Sequence, residues 1–171
     1  MPHKNSMFAY CATSSETARL LGVVNVARRN ADGSWHGDML DGVAFVAAQK
    51  KKGARPEGAR VLQVGAGGAG SAIAVALLEA GVRELVLHDA SQSRLDHLVR
   101  LLSGLGRGRV IAGPPDPTGC DMVVNATPMG MSSARSASRS GASAHFFDVR
   151  GRRCRRPWGH AIPAGRPSRG V

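Results

Sequence analysis

The chain is poor in cysteine and in acids, and toward its end it is poor in anything from which a core is built. Its 171 residues hold three cysteines, Cys11, Cys120 and Cys154. That odd number, widely spaced and without a CxxC or a Cys/His pair at ligand spacing, argues against a disulfide framework and a zinc site. Reduced thiols in a cytoplasmic protein are expected, and no metal. No charged opening followed by an apolar run starts the chain, so a secretory signal is not expected. The longest uncharged stretch, Val61 to Leu78, has the length of a membrane span but carries four glycines in six residues. It reads as a strand, a tight turn and a helix, and no membrane partner is expected. Repeats at solenoid periods are absent too.

Acidic residues number 12 against 23 lysines and arginines, for a net charge of +11. The imbalance is local: residues 1–131 hold 14 basic and 11 acidic residues, whereas residues 132–171 hold 9 and 1. A nucleic-acid footprint needs basic side chains on an ordered face, so a nucleic-acid partner is not expected. From Ser132 onward the chain is rich in arginine, serine and glycine, shows neither period 2 nor period 3.6, and no leucine follows Leu105. Residues 132–171 are therefore predicted to be a disordered basic tail. An apolar fraction of 43% still supports one packed domain in the remainder.

Within that remainder, Thr13-Ser14-Ser15-Glu16 has the S/T-x-x-E form of a capping box, which predicts a short helix through Leu20 opened by the Thr13 hydroxyl. Val23 to Arg28 and Ser34 to Gly37 flank Asn30-Ala31-Asp32-Gly33, and the Asp-Gly pair predicts a hairpin. A helix follows from Gly42 to Lys52, with Val43, Val46 and Ala47 on one face and Gly53 as its stop. Strand and helix then alternate: strand 60–64, helix 70–80, strand 84–87, helix 91–102, strand 110–112 and strand 122–125. The nearly continuous apolar runs of the strands predict a parallel sheet covered on both faces. The predicted class is α/β. Residues 1–53 are read as a partial substrate-binding domain with its connecting helix, and residues 54–131 as an incomplete Rossmann-like domain.

Gly65-Ala66-Gly67-Gly68-Ala69-Gly70 fits G-x-G-x-x-G between a predicted strand and a predicted helix, the context in which that motif binds a dinucleotide. Gly65 permits the tight turn, Gly67 lets the backbone approach a diphosphate, and Gly70 lets the helix lie close to the strand. The helix N-terminus then faces the phosphates. Asp89 stands at the end of the next strand, 24 positions after Gly65. A carboxylate there accepts from the ribose hydroxyls and repels a 2′-phosphate, which favours NAD and leaves NADP possible. The alternative for Asp89 is a helix N-cap, a place Ser91 fills equally well.

Five segments stand in an informative order: Met1-Pro2-His3-Lys4, Gly22-Val23-Val24-Asn25, Gly37-Asp38-Met39-Leu40-Asp41-Gly42, the glycine loop, and Asn125-Ala126-Thr127-Pro128-Met129-Gly130-Met131. Their sequence and order resemble the shikimate dehydrogenase family, including its quinate/shikimate branch, over residues 2–131. The resemblance implies hydride transfer between a nicotinamide dinucleotide and a small cyclic hydroxy acid, either shikimate or quinate. It implies that Lys4 and Asp41 form the pair at the reacting alcohol carbon, that Asn25 helps hold the substrate hydroxyls, and that Asn125, Thr127 and Met129 belong to a loop beside the nicotinamide. NADP-dependent members commonly have Asn-Arg-Thr where this chain has His88-Asp89-Ala90, which again favours NAD. Taken alone, Lys4 reads as a solvated terminal lysine and Asp41 as a helix N-cap.

Compared with the family pattern, the chain is expected to be truncated at both ends, its tail resembling a shifted reading frame. An inactive fragment or a bare dinucleotide-binding module is therefore the alternative reading. The sequence leaves the oligomeric state and the choice of substrate open.

Overall fold

The computed structural model describes residues 4–127 and 145–148. In order, its elements are α1 (Lys4–Ala9), β1 (Thr13–Ser14), α2 (Glu16–Leu21), β2 (Val26–Arg29), β3 (Trp35–Asp38), α3 (Asp41–Lys51), β4 (Arg60–Val64), α4 (Gly68–Glu79), β5 (Glu84–His88), α5 (Gln92–Ser103), β6 (Arg109–Ala112), β7 (Met122–Asn125) and β8 (His145–Asp148). They form two sheets, β1-β3-β2 and β6-β5-β4-β7-β8.

The larger sheet is parallel from β6 to β7. Strands β4, β5 and β6 step outward in one direction, and right-handed crossovers carry α4 and α5 over a single face. On that face Val61, Leu85, Leu87 and Val124 pack with Ile73, Leu77, Leu98 and Leu102. The chain then returns to the other side of β4 to form β7, and Leu62, Val86 and Cys120 are buried on the opposite face. The reversal of direction between β4 and β7 is the kind of switch point at which doubly wound sheets bind ligands. β8 is antiparallel to β7, pairing Met122 with Asp148 and Asn125 with His145. The expectation of a tail without regular structure is therefore corrected at residues 145–148. The rest of the tail lies outside the described residues.

The smaller sheet is the predicted hairpin with one short parallel addition. β2 and β3 pair antiparallel from Val26–Asp38 to Arg29–Trp35, and β1 joins β3. Asp32 shapes the turn, its Oδ1 accepting from the Ser34 amide at 2.9 Å and the Ser34 hydroxyl at 2.7 Å. Two local expectations change. Ser15, not Thr13, caps α2, its Oγ accepting from the Ala18 amide at 3.4 Å. Thr13 lies instead in β1, where its hydroxyl bonds His36 Nδ1 at 2.9 Å. In α3 the buried residues are Gly42 and Val46. Val43 and Ala47 are exposed. The inner face is thus turned about one position from the expected one, because the helix starts at Asp41 and presses its first turn onto α4. A Cβ on Gly42 would overlap the Ala72 carbonyl.

Candidate active site

The glycine turn, Asp89 and Asn125 all lie at the C-terminal ends of neighbouring parallel strands. Register fixes this: Val64 pairs with His88 in β5 and with Asn125 in β7, so the residues just beyond them emerge on one edge. Gly65 has φ +110°, a backbone state that strains any residue with a Cβ, and a Cβ there would stand 2.8 Å from the Ala126 carbonyl carbon. Gly67 caps α4, and a Cβ placed on it would meet open space. The helix begins at Gly68, two residues earlier than the spacing predicts, so Gly68, Ala69 and Gly70 form its first turn. Amides in a first turn have no intrahelical acceptor and face outward with the positive end of the helix dipole. A Cβ on Gly70 would overlap the Gly65 carbonyl, so α4 leaves the strand at a distance only glycine allows.

Asp89 closes this turn from the side. Its Oδ2 accepts from the Ala66 amide at 2.7 Å, and its Oδ1 accepts from the Ser91 amide at 2.7 Å and from Arg94 Nη2 at 2.9 Å. Burial pushes the carboxyl upward, but the bonds from Ala66, Ser91 and Arg94 outweigh it and hold Asp89 below its ordinary range. The carboxylate is therefore ionised at neutral pH, and three of its roughly four lone-pair sites are taken. Asp89 is not the cap of α5; Ser91 occupies that position, without a side-chain capping bond. The Ala66 amide is already satisfied within the chain, which leaves the first turn of α4 as the donor set for an anion.

On the far side of the turn, Ala126 N donates to the Val64 carbonyl at 2.7 Å. Asn125 Oδ1 accepts from the Thr127 amide at 3.0 Å and from its hydroxyl at 2.6 Å. These bonds lock the residues following β7 against Gly65. Met129 lies outside the described residues.

Among the expected substrate residues, the structure joins Asn25 and Asp41. Asn25 Nδ2 donates to Asp41 Oδ1, while Asn25 Oδ1 accepts from the Leu40 amide at 2.9 Å. One side chain thus ties the start of β2 to the start of α3. Leu40 holds the N-cap position and Asp41 is the first helical residue, where a carboxylate is favoured by the dipole. Lys4 opens α1. Its side chain lies outside the described residues, so the Lys4–Asp41 pair is not placed.

Two participants escaped the sequence reading. Arg94 lies in the first turn of α5 and pairs with Asp89; its signal was a basic residue five positions after the acid. Gln63, an amide among the apolar residues Val61, Leu62 and Val64 of β4, reaches the glycine turn from beneath. Elsewhere, an open concavity of about 370 Å³ lined by Lys50, Ala54, Arg55, Pro56 and Glu57 includes none of the site residues. Among the described residues no group of three or more His, Cys, Asp or Glu is arranged to hold a metal ion. No helix among them is long and apolar enough to cross a membrane.

A parallel sheet with a glycine turn at its switch point and an ionised aspartate at the end of the neighbouring strand defines a Rossmann-like α/β protein. Comparison with known proteins narrows this. No protein-family model matches the chain. It is 41% identical over 136 residues to the shikimate dehydrogenase (NADP(+)) of Rubrobacter xylanophilus, an alignment covering 77% of this chain and 48% of that enzyme. Quinate dehydrogenase from Corynebacterium glutamicum, solved in complex with NAD, superposes with a TM-score of 0.67 at 33% identity, over 80% of this chain and 50% of that one. The ligand-free 5-ketofructose reductase of Gluconobacter sp. strain CHM43 superposes with a TM-score of 0.69 at 32% identity, over 76% and 48%. Over the aligned stretch the chain is a relative of the shikimate/quinate dehydrogenase family, and it spans about half the length of the relatives it matches.

Proposed function

We propose that this chain carries the dinucleotide-binding half and part of the substrate site of a shikimate/quinate-type dehydrogenase. The carrying observation is the bond from the Ala66 amide to Asp89 Oδ2, which joins the glycine turn to the ribose-side carboxylate at the sheet's switch point. The open space over Gly67 fits the close approach of a diphosphate, and the first turn of α4 supplies its donors. When bound, a reduced nicotinamide supplies hydride to a ring ketone.

The chain's own residues do the rest. Asn25 holds Asp41 in place at the start of α3 and offers its amide to substrate hydroxyls. Lys4 delivers a proton to the forming alkoxide and stabilises its charge, with Asp41 orienting the ammonium or exchanging the proton itself. Asn125 and Thr127 shape the wall on the nicotinamide side, and the family resemblance assigns Met129 to the same loop.

NAD is the preferred cofactor in this reading. Asp89 sets a negative charge beside the ribose, and Ala90, next in the chain, brings no second cation to balance a 2′-phosphate against it. Arg94 offsets part of that charge, so discrimination is modest. A cytoplasmic setting belongs to the same reading, on the odd number and wide spacing of the cysteines in the sequence.

The test is a titration with NADH and NADPH, followed by assay of shikimate and quinate oxidation with NAD+ or NADP+ as the hydride acceptor. Tighter NADH binding, weakened by Asp89→Ala, and turnover lost in Lys4→Ala are expected. Cofactor binding without turnover identifies a bare nucleotide-binding module instead. Failure of the wild type to bind either cofactor overturns the assignment.

A further inference from the structure

The carbonyls of the glycine turn, as distinct from its amides, are gathered by one buried side chain. Gln63 sits in β4 with no solvent exposure, between Leu87 of β5 and Val124 of β7. Its Nε2 donates to the Gly65 carbonyl at 3.0 Å and to the Gly70 carbonyl at 2.8 Å. Both partners can only accept, so the orientation of the amide is determined. Its Oε1 is buried and has no hydrogen-bond partner among the described residues. A leucine would fill the same space beside Leu87 and Val124 without stranding an acceptor, so the glutamine must be offset by the two bonds it donates.

Those bonds act on the motif's first and last glycines. In a trans peptide the carbonyl and the following N–H point in opposite directions. The Gly65–Ala66 peptide plane is therefore clamped at both ends, its carbonyl by Gln63 Nε2 and its N–H by Asp89 Oδ2. The same amide bonds Gly70, so it also sets how far α4 stands from the turn.

We infer that Gln63 is a positioning residue for the dinucleotide: it fixes the glycine turn from beneath, aims the Ala66 amide at Asp89, and so sets the carboxylate and the first turn of α4 at their working separation before a ligand arrives. This rests on the dinucleotide reading given above. Its energetic effect is pre-organisation, since a cradle already held in shape loses less entropy on binding.

The experiment uses the full chain and two variants, Gln63→Leu and Gln63→Glu, with far-UV circular dichroism and thermal melting to confirm folding at each condition. In Gln63→Leu, NADH binding is expected to weaken about tenfold, as two donated bonds are lost. Amide hydrogen exchange at Ala66 and Gly68–Gly70 should also accelerate without ligand. Gln63→Glu supplies a readout that altered packing alone does not move. A buried carboxyl has a raised pKa; protonated it donates to one of the two carbonyls, and ionised it repels both. Its NADH affinity relative to wild type should therefore recover about tenfold between pH 8 and pH 5.5.

Wild-type affinity and unchanged loop exchange in Gln63→Leu would overturn the inference while leaving the dinucleotide reading intact. A pH-independent ratio for Gln63→Glu would do the same should Gln63→Leu fail to fold. A wild type that binds neither NADH nor NADPH ends the dinucleotide reading, and this role with it, whatever the variants do.

Discussion

The glycine turn and the Asn25–Asp41 pair are held in different ways. Four elements converge on the turn: Gln63 of β4 from beneath, Asp89 beyond β5 from the side, Ala126 beyond β7 from behind, and the first residues of α4. The Asn25–Asp41 pair is bridged by the Asn25 side chain, which spans from the start of β2 to the start of α3. The turn is thus over-determined by a sheet that also forms the main core, while the pair sits in a smaller layer around Val23, Val24 and Met39. Damage to the large sheet should reach both regions, and damage to the small layer only one.

Paired glycine substitutions give the strongest test of that asymmetry. A Cβ on Gly70 would overlap the Gly65 carbonyl, and a Cβ on Gly42 the Ala72 carbonyl. Both clashes are with backbone, so each substitution to alanine is expected to cost about 3 kcal/mol in urea denaturation. Ligand binding should separate them. Gly70→Ala abolishes NADH binding because it opens the turn itself, whereas folded Gly42→Ala keeps NADH affinity within about threefold, a change that small being under 1 kcal/mol. Equal loss of binding in the two would show that the α3–α4 junction and the glycine turn are one unit.

Asn25→Ala comes next in size. It removes one donor from Asp41 and leaves the Leu40 amide without its side-chain acceptor. A loss of about 1.5 kcal/mol in stability is expected, the range for a partly buried polar pair. NADH affinity should stay at the wild-type value, because Asn25 makes no bond to the turn. A parallel fall in NADH affinity would contradict the division between the regions.

The same contrast explains what could be read from the sequence. The strands at 60–64 and 122–125 appear where the apolar runs place them, because burial on both faces leaves a continuous signal that needs no tertiary context. In the small layer, local signals competed. Thr13 and Ser15 both offer hydroxyls before an acidic residue, and the choice fell to Ser15 because Thr13 is held by His36, 23 residues away. Val43 is apolar yet half exposed, because the orientation of α3 is set by the approach of Gly42 to α4, which hydrophobic periodicity does not record. Asp89 was legible as an acid at the right offset, but its bond to Ala66 and its pairing with Arg94 arise only when β4 and β5 lie side by side. Gln63 was visible as a polar residue between Leu62 and Val64, and only the path of the chain above it gives it a role.

The smallest expected effect concerns how Asp89 links the turn to acidity. Its folded pKa lies below the ordinary 3.8: burial opposes ionisation, and the bonds from Ala66, Ser91 and Arg94 more than offset it. A depressed carboxyl stabilises the fold fully above its unfolded pKa, and that contribution is lost as pH falls from about 3.8 through the lower folded value. Urea unfolding of wild type and Asp89→Asn should therefore differ by a constant amount above about pH 5, and the difference should shrink steadily below pH 3.8. Arg94→Ala should narrow the window only slightly. Its side chain is 59% exposed and solvent screens the pair, so the stability change stays near 0.5 kcal/mol or below. If Arg94→Ala instead reproduced the whole Asp89→Asn effect, the arginine would be what holds the carboxylate ionised. The backbone bonds from Ala66 and Ser91 would then be its consequence, and the turn would rest on an exposed side chain and not on the sheet.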